Sequence, residues 1–381
     1  MKKYRFICLD DMPNEVKRAT TRLSTAVESL EIETLAPIDF ADQVTVLVRS
    51  RRKKKLDGII LDLRIDQSSP AGSRPVDYKA QRLASELRTK MAEGSVRDFP
   101  IVLWSINQKF ARSYQKDVAS HDLFDLVFDK DELHSADEIQ RAANELVSLS
   151  KGYDLIAQSS GPTIRWDDLL KRPSGVVLDT RITAALGRSS VRSPVHVIAR
   201  FVLKKLVDHP GFLIDQSMLC ARLGLNETSY MSSDLEEDLG KFAYKGPFGD
   251  SWKRWWWSAV DNWWWKLDSD LPPILSLTAE QRVKQLRQAG YKKLHASEPI
   301  VKGYSSRFTT ICQKLRKPLD PIDGFVLSGR KLDSWQERLY VSAEVATKPG
   351  RYRFDGEFDP LEADRLKEAR AKVTRAKKKH G

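Results

Sequence analysis

The first 150 residues alternate five short apolar runs with segments of helical spacing, and this alternation limits the possible folds more than any other feature. The apolar runs are residues 4–11, 32–36, 57–63, 99–105 and 124–130. The helical segments are residues 14–30, 39–52, 78–94 and 136–150. Because strands that alternate with helices pair in parallel and are covered on both faces, the pattern predicts an α/β doubly wound sheet of five parallel strands.

Polar side chains end four of these strands, at the edge where parallel α/β sheets bind ligands. The residues at the strand ends are Asp10, Asp11, Asp62, Ser105 and Lys130. Three carboxylates at one edge repel each other, and a charged group that ends a buried run is costly unless it is compensated. Lys130 and a cation that prefers oxygen ligands, such as Mg²⁺, would neutralise them. The sequence therefore predicts a carboxylate site that binds a divalent cation.

Residues 1–150 resemble the receiver domain of two-component response regulators, because the same five residues follow the family's order at the strand ends. The resemblance implies a flavodoxin-like (CheY-like) sheet. It implies Mg²⁺ held by Asp11 and Asp62, with Asp10 acting through water and the Arg64 carbonyl as a further ligand. It also implies that a partner histidine kinase phosphorylates Asp62, with Ser105 and Lys130 assisting. A metal-free relic of the fold is the alternative that the residues leave open.

These residue types suit phosphoryl transfer on chemical grounds as well. A carboxylate such as Asp62 is a nucleophile that can form a covalent intermediate. A cation and Lys130 would stabilise the charge of the transferred group, and the hydroxyl of Ser105 can turn toward it. Val127 stands where the family often has an aromatic switch residue. Two alternatives stay open, namely that the aromatic coupling is absent or that Phe128 or Trp104 replaces it.

The net charge of +12 is concentrated at one end of the chain. Residues 1–150 hold 24 basic and 24 acidic side chains, whereas the segment from Arg365 to the end holds eight basic residues and one acidic residue, Glu368. We interpret this basic tail as a solvated helix, with a docking arm for nucleic acid or protein as the alternative. The chain offers no apolar run long enough to span a membrane, and we expect a cytoplasmic protein.

The remaining residues are predicted to form a linker at 151–192, a mostly helical tryptophan-rich domain at 193–362 and the basic tail at 363–381. A helix-turn-helix is one interpretation of residues 215–244, with Asp215 as the first cap and a second helix from about Ser229. Four acidic residues on the presumed recognition helix would repel phosphate, so we do not expect nucleic-acid binding. They are Asp234, Glu236, Glu237 and Asp238.

Seven tryptophans lie between Trp252 and Trp265. As one helix, the segment would place five of its side chains on a single face, namely Trp252, Trp256, Val260, Trp263 and Leu267. We interpret part of this surface as core and part as an interface for a protein partner or for self-association. Stacking on single-stranded nucleic acid and contact with a membrane surface remain alternatives.

Later segments give weaker signals. Thr278 and Gln281 predict a capping box at the start of a helix. Residues 307–317 are predicted to be helical and 323–329 to form a strand, while 335–346 suit either. Residues 151–381 contain no catalytic triad, P-loop or zinc spacing, so we expect no enzymatic output.

The order of parts and the tryptophan-rich stretch resemble the receiver-containing middle component of Detocs, a bacterial phosphorelay that defends against phage. The resemblance implies a phosphate sink, which absorbs phosphoryl groups from the partner kinase and so prevents basal signalling. Two alternatives stay open. One is a transcriptional response regulator that binds DNA, and the other is an effector enzyme under receiver control.

Overall fold

The computed structural model describes residues 2–67, 75–106, 122–159, 164–178, 180–190, 193–268, 270–328 and 332–380. The chain forms two compact units. Unit 1 comprises Met1–Arg172, Thr183–Lys205 and Lys245–Trp252, and unit 2 comprises Pro173–Ile182, Leu206–Tyr244 and Lys253–Gly381. The predicted boundary at residue 150 falls inside a helix that continues to Ser159, and the four-part division from the sequence stays a prediction.

Unit 1 is built on a parallel sheet of five strands. They are β1 (Tyr4–Leu9), β2 (Leu30–Leu35), β3 (Gly58–Asp62), β4 (Ile101–Ser105) and β5 (Leu126–Asp129). The strand order is β2-β1-β3-β4-β5, and every neighbouring pair is parallel. The predicted doubly wound sheet is therefore confirmed, and the order is the one shared by flavodoxin and CheY.

Helices α1 (Pro13–Ala26), α2 (Phe40–Arg52), α3 (Ala80–Ala92) and α4 (Ala136–Ser159) accompany the strands. Proline occupies the first position of α1, where its missing N–H costs nothing. Asp39 caps α2 by accepting a hydrogen bond from the Ala41 N–H. β3 and β4 are buried along their whole length because helices cover both faces, which explains their unbroken apolar sequence.

Segments from later in the chain cover α4 within unit 1. After the short helices α5 (Trp166–Leu169) and α6 (Thr180–Ser190), helix α7 (Val195–Phe201) packs against α4. The segment Lys245–Trp252 packs there too, and the Ser148 hydroxyl donates to the Phe248 carbonyl at 3.1 Å. Gly152 permits this approach, since a Cβ there would lie 2.2 Å from the Phe248 ring. The receiver-like sheet is thus one part of a larger unit.

A buried polar network joins α3, α4 and the amino ends of β4 and β5. The Arg88 guanidinium pairs with the Asp125 carboxylate at 2.8 Å, and the Tyr153 hydroxyl donates to the same carboxylate at 2.8 Å. The Ile101 N–H also donates to Asp125, and Arg88 donates to the Phe99 carbonyl. Because each buried charge has several partners, the network stabilises the amino edge of the sheet, which is opposite the carboxyl edge that carries Asp62.

Unit 2 contains most of the remaining helices. They are α8 (Gln216–Leu223), α9 (Glu227–Met231), α10 (Asp234–Gly240), α11 (Trp257–Leu267), α12 (Ala279–Gln288), α13 (Ala343–Thr347), α14 (Pro349–Tyr352) and α15 (Ala363–His380). The predicted cap at Asp215 and the predicted capping box at Thr278 and Gln281 are both present. The second predicted helix begins at Glu227 and not at Ser229. The mostly helical character of this part of the chain is confirmed.

Two small sheets complete unit 2. β6 (Leu213–Ile214) pairs with β7 (Trp255–Trp256), and a four-stranded sheet has the order β10-β11-β8-β9. Its strands are β8 (Thr310–Cys312), β9 (Lys317–Leu319), β10 (Gly324–Val326) and β11 (Tyr340–Ser342). The helix predicted at 307–317 is therefore wrong, because β8 and β9 form an antiparallel hairpin there. The predicted strand at 323–329 is confirmed as β10, and residues 335–346 contain a strand followed by a helix.

The tryptophan-rich segment is not one helix. Trp255 and Trp256 form β7, and α11 starts only at Trp257, so the single-faced stripe predicted for 252–267 is wrong. Four of the seven rings are buried, namely Trp255, Trp256, Trp263 and Trp264. Trp265 is 38% exposed. The rings therefore belong mainly to the core of unit 2.

Among the described residues, no helix is long and apolar enough to span a membrane.

Candidate functional site

The predicted site residues lie at the carboxyl edge of the sheet in unit 1. Asp10 and Asp11 directly follow β1, Asp62 is the last residue of β3, Ser105 is the last of β4 and Lys130 directly follows β5. Asp62 pairs in register with Trp104, and Ser105 pairs with Asp129. Parallel register brings strand ends from distant parts of the sequence to one edge, as the alternation of strands and helices predicted.

Lys130 is the centre of the observed arrangement. Its Nζ donates to Asp10 Oδ2 at 2.7 Å and to Asp62 Oδ1 at 2.6 Å. The two carboxylates are 2% and 7% exposed, so both charges are held away from bulk water. A charged donor shared by two buried carboxylates offsets the repulsion between them and part of the cost of burying them.

Backbone N–H groups hold the two carboxylates from the other side. The Met12 N–H donates to Asp10 Oδ1 at 2.9 Å, and the Arg64 N–H donates to Asp62 Oδ2 at 2.8 Å. Each carboxylate therefore has one oxygen fixed by its own loop and one by Lys130. Reasoning from side-chain types did not find these donors, because every residue carries a backbone N–H and only the fold decides where it points.

The burial of the site shifts its titrations. Burial raises the pKa of Asp62 above the ordinary carboxyl value and Asp10 raises it further, while Lys130 acts in the opposite direction. Burial disfavours the ammonium of Lys130, but the carboxylates of Asp62 and Asp10 outweigh it and raise the pKa of Lys130. Asp10 and Asp62 thus keep Lys130 in its charged form, whereas burial disfavours the anionic form of Asp62.

The other predicted residues share the edge without joining these contacts. The Ser105 hydroxyl is buried and donates to the Ile106 carbonyl at 3.3 Å, so it does not bind Asp62 here. The Arg64 carbonyl accepts the Gln67 N–H at 3.3 Å, which leaves one of its lone pairs free. Asp11 is 8% exposed, and within the described residues its carboxylate makes no hydrogen bond or ion pair.

Aromatic residues line the same row of the sheet. Trp104 lies in register between Asp62 and Phe128, and the Lys130 Nζ lies 5.7 Å from the centre of its ring. Trp104 and Phe128 are buried, whereas Val127 is 38% exposed. Among the described residues, Trp104 is therefore the aromatic residue in contact with the charged centre, and its buried indole N–H has no hydrogen-bond partner there.

The donor chemistry of the site suits a hard divalent cation. Carboxylate and carbonyl oxygens are the ligands that Mg²⁺ prefers, and the unpaired, buried carboxylate of Asp11 is a group that a cation would satisfy. In the described part of the chain, no three His, Cys, Asp or Glu side chains stand in an arrangement that could hold a metal ion. Lys130 supplies the positive charge in the observed geometry, and the four-residue ligand set stays a prediction.

The solved structures that resemble the first two fifths of the chain include response regulator receiver domains. A response regulator receiver domain protein from Clostridium thermocellum is 11% identical, and the match covers 39% of this chain and 97% of that one with a TM-score of 0.28. A sensor protein from Polaromonas sp. JS666 is 16% identical over 39% of this chain and 98% of that one, with a TM-score of 0.27. The phosphorylated cyanobacterial phytochrome response regulator RcpA is 14% identical, and the match covers 37% of this chain and 89% of that one with a TM-score of 0.25.

No family model and no curated protein matches the sequence. The strand order and the all-parallel pairing of the sheet decide the fold. The sheet of unit 1 and its flanking helices have the flavodoxin-like (CheY-like) fold. Proteins with this fold bind ligands at the carboxyl edge of the sheet. Asp10, Asp62 and Lys130 lie at that edge, so they occupy the usual position of a binding site.

Proposed function

We propose that the receiver-fold unit accepts a phosphoryl group on Asp62 from a partner histidine kinase. One observation carries the proposal, namely the contact of the Lys130 ammonium with both Asp10 and Asp62 at the carboxyl edge of the sheet. A carboxylate that is buried, compensated and fixed at both oxygens is a preorganised nucleophile.

The chemistry follows from these contacts. A carboxylate oxygen of Asp62 forms a bond to phosphorus while the bond from phosphorus to the donor nitrogen or oxygen breaks, and the leaving group keeps that electron pair. Lys130 stays within reach of the new phosphoryl oxygens because it already lies 2.6 Å from Asp62 Oδ1. Ser105, which now donates to a backbone carbonyl, can rotate toward the phosphoryl group.

We propose Asp11 and Asp62 as the ligands of Mg²⁺, with Asp10 acting through water and the Arg64 carbonyl as a further ligand. When bound, Mg²⁺ would neutralise charge on the transferred group. Both oxygens of Asp10 already accept a hydrogen bond, one from Lys130 and one from the Met12 N–H, and contact with the cation through water would leave these bonds in place. Asp11, whose carboxylate is otherwise unpaired among the described residues, suits the direct role.

We propose a phosphate sink as the physiological role, in a bacterial phosphorelay of the anti-phage type that the whole sequence resembles. A sink needs an acceptor carboxylate, a cation and a surface for the kinase, and it needs no output chemistry. We accordingly propose that the only reactions of this chain are gain and loss of the phosphoryl group at Asp62. A cytoplasmic location would give it access to a kinase and to Mg²⁺.

Incubation of the full chain with a small-molecule phosphodonor and Mg²⁺ tests the acceptor, with a phosphate-sensitive gel as the readout. We expect a retarded band for the wild type and for Asp131→Asn, which removes an exposed acid beside Lys130. We expect no retarded band for Asp62→Asn. Equal labelling of all three proteins would overturn the assignment of the acceptor.

DNA binding is the second candidate, because the short segment 224–226 joins α8 to α9 and Gly224 adopts a left-handed conformation there. A short turn that often contains glycine is one feature of a helix-turn-helix. A DNA reader would bind with an affinity that falls steeply with salt, and binding would change on phosphorylation. The sink proposal predicts no such complex in a mobility-shift assay at low salt. An effector enzyme would make expression toxic in a manner lost with Asp62→Ala, and the sink proposal predicts no toxicity.

A further inference from the structure

Unit 2 contains a cavity of about 460 Å³ that plays no part in the chemistry proposed for unit 1. One wall is a face of α11, on which Ala259, Asn262, Trp263 and Lys266 follow helical spacing. The end of α10 contributes Lys241 and Phe242, and residues 174–176 close a third side. The volume lies within the range of about 300–1,000 Å³ that is usual for sites that bind small molecules.

The charge of the cavity has one sign. Lys241 and Lys266 are the charged residues among its described lining, which includes no carboxylate. Neither lysine makes a hydrogen bond or ion pair within the described part of the chain, and Lys241 has only the ring of Phe242 beside it, at 5.2 Å. Asp238, an acid close to Lys241 in sequence, accepts a hydrogen bond from the Tyr291 hydroxyl at 2.5 Å. The two ammonium groups are therefore available to an anion.

An exposed aromatic ring stands beside these charges. Trp265 is the most exposed of the seven tryptophans in this segment, and its indole forms a side-chain hydrogen bond with Asp261, one helical turn earlier. That bond fixes the edge of the ring and leaves a face for stacking. Trp263 and Phe242 supply further apolar surface to the same cavity.

We propose that this cavity binds a nucleoside phosphate, with the base stacked on Trp265 and the phosphate held by Lys241 and Lys266. A planar ring is the partner that a fixed, exposed indole face recognises, and stacking on aromatic side chains tolerates any base. Two unpaired ammonium groups without a carboxylate recognise a phosphate. Asn262 adds an amide that can donate to or accept from the base or the sugar.

Isothermal titration calorimetry of the full chain with AMP as the probe tests the site at low salt. Adenosine and ribose 5-phosphate serve as matched ligands that lack the charge or the ring. We expect AMP to bind, and the two partial ligands to bind at least tenfold more weakly. We expect the double variant Lys241→Gln with Lys266→Gln to weaken AMP at least tenfold while leaving adenosine unchanged.

Two further variants complete the design. Trp265→Leu should weaken AMP and adenosine alike and leave ribose 5-phosphate unchanged. Lys284→Gln removes the same charge from an exposed position on α12 outside the cavity and should bind AMP as the wild type does. Circular dichroism checks that each variant is folded, and the lysine pair, which is on the surface, keeps the test decisive if Trp265→Leu does not fold.

No binding of AMP, or equal binding by the lysine variant and the wild type, would overturn the proposal. Ribose 5-phosphate bound as tightly as AMP would also overturn it, because the cavity would then be only an anion site. Adenosine bound as tightly as AMP would overturn the role of the lysines. None of these outcomes depends on phosphorylation of Asp62.

Discussion

Replacement of Arg88 by methionine tests the buried network that fixes the amino ends of β4 and β5. The change keeps most of the side-chain volume and removes the charge that pairs with Asp125 at 2.8 Å. The two side chains are 9% and 3% exposed, so the carboxylate that remains would be buried and unpaired. Removing one partner of such a pair costs about 3–5 kcal/mol. Because Tyr153 and the Ile101 N–H still donate to Asp125, we expect the lower end, about 3 kcal/mol.

A double-mutant cycle separates the ion pair from lost packing. Asp125→Asn in the Arg88→Met background removes the uncompensated charge, so the double variant should be more stable than the sum of the two single losses, by about 2 kcal/mol. Arg141→Met, on the exposed face of α4, is the matched control and should change stability by less than about 0.5 kcal/mol.

Native-state hydrogen exchange with peptides from β4 and β5 in increasing urea measures these values in the full chain, because it reports the opening of unit 1 separately. A loss of less than about 1 kcal/mol in the free energy of unfolding for Arg88→Met, or strict additivity in the cycle, would show that the ion pair of Arg88 with Asp125 does not stabilise unit 1.

Three further predictions concern unit 1. Asp62→Asn should raise its free energy of unfolding at pH 7 without Mg²⁺, because burial raises the pKa of Asp62 and the folded state disfavours the anion. The gain should shrink as pH falls through that raised pKa, and a urea titration that shows a loss instead would contradict it. Lys130→Met should lower the free energy of unfolding by about 2 kcal/mol or more, because it leaves Asp10 and Asp62 uncompensated, and the midpoint of thermal unfolding should fall with it. Lys79→Met should leave the midpoint unchanged. Gly152→Val should cost about 3 kcal/mol by urea unfolding because a Cβ there meets Phe248 at 2.2 Å, and Phe248→Ala should recover part of that loss.

The parallel sheet of unit 1 and the meeting of Asp10, Asp62 and Lys130 could be predicted because both follow from the alternation of strands and helices along the sequence. The apolar run at 59–61 indicates a covered strand of a parallel sheet, and the ends of parallel strands share an edge. The contact of one ammonium with two carboxylates could not be predicted, since it depends on the path of the chain after β5. The same holds for the segment Lys245–Trp252, which packs in unit 1 although its neighbours in sequence belong to unit 2.

Unit 2 shows where periodicity fails. Phe308, Ile311, Cys312 and Leu315 follow helical spacing, yet β8 and β9 form a hairpin there. The hairpin reverses near Arg316, whose φ of +53° is a conformation that few residues other than glycine adopt, so the turn carried no sequence signal. Trp255 and Trp256 likewise leave the predicted helix because they pair with β6, far earlier in the chain. Tertiary pairing overrode local spacing in both cases.

Mapping of the phosphorylated residue shows whether Asp62 is the phosphoacceptor. After incubation with a phosphodonor and Mg²⁺, borohydride reduction converts an acyl phosphate on an aspartate to homoserine, which mass spectrometry then locates in the chain. We expect the converted residue to be Asp62, chelation of Mg²⁺ to prevent the formation of homoserine, and Asp131→Asn to leave the result unchanged. Conversion at a different carboxylate, or none at Asp62 in a folded protein with the cation present, would contradict this assignment.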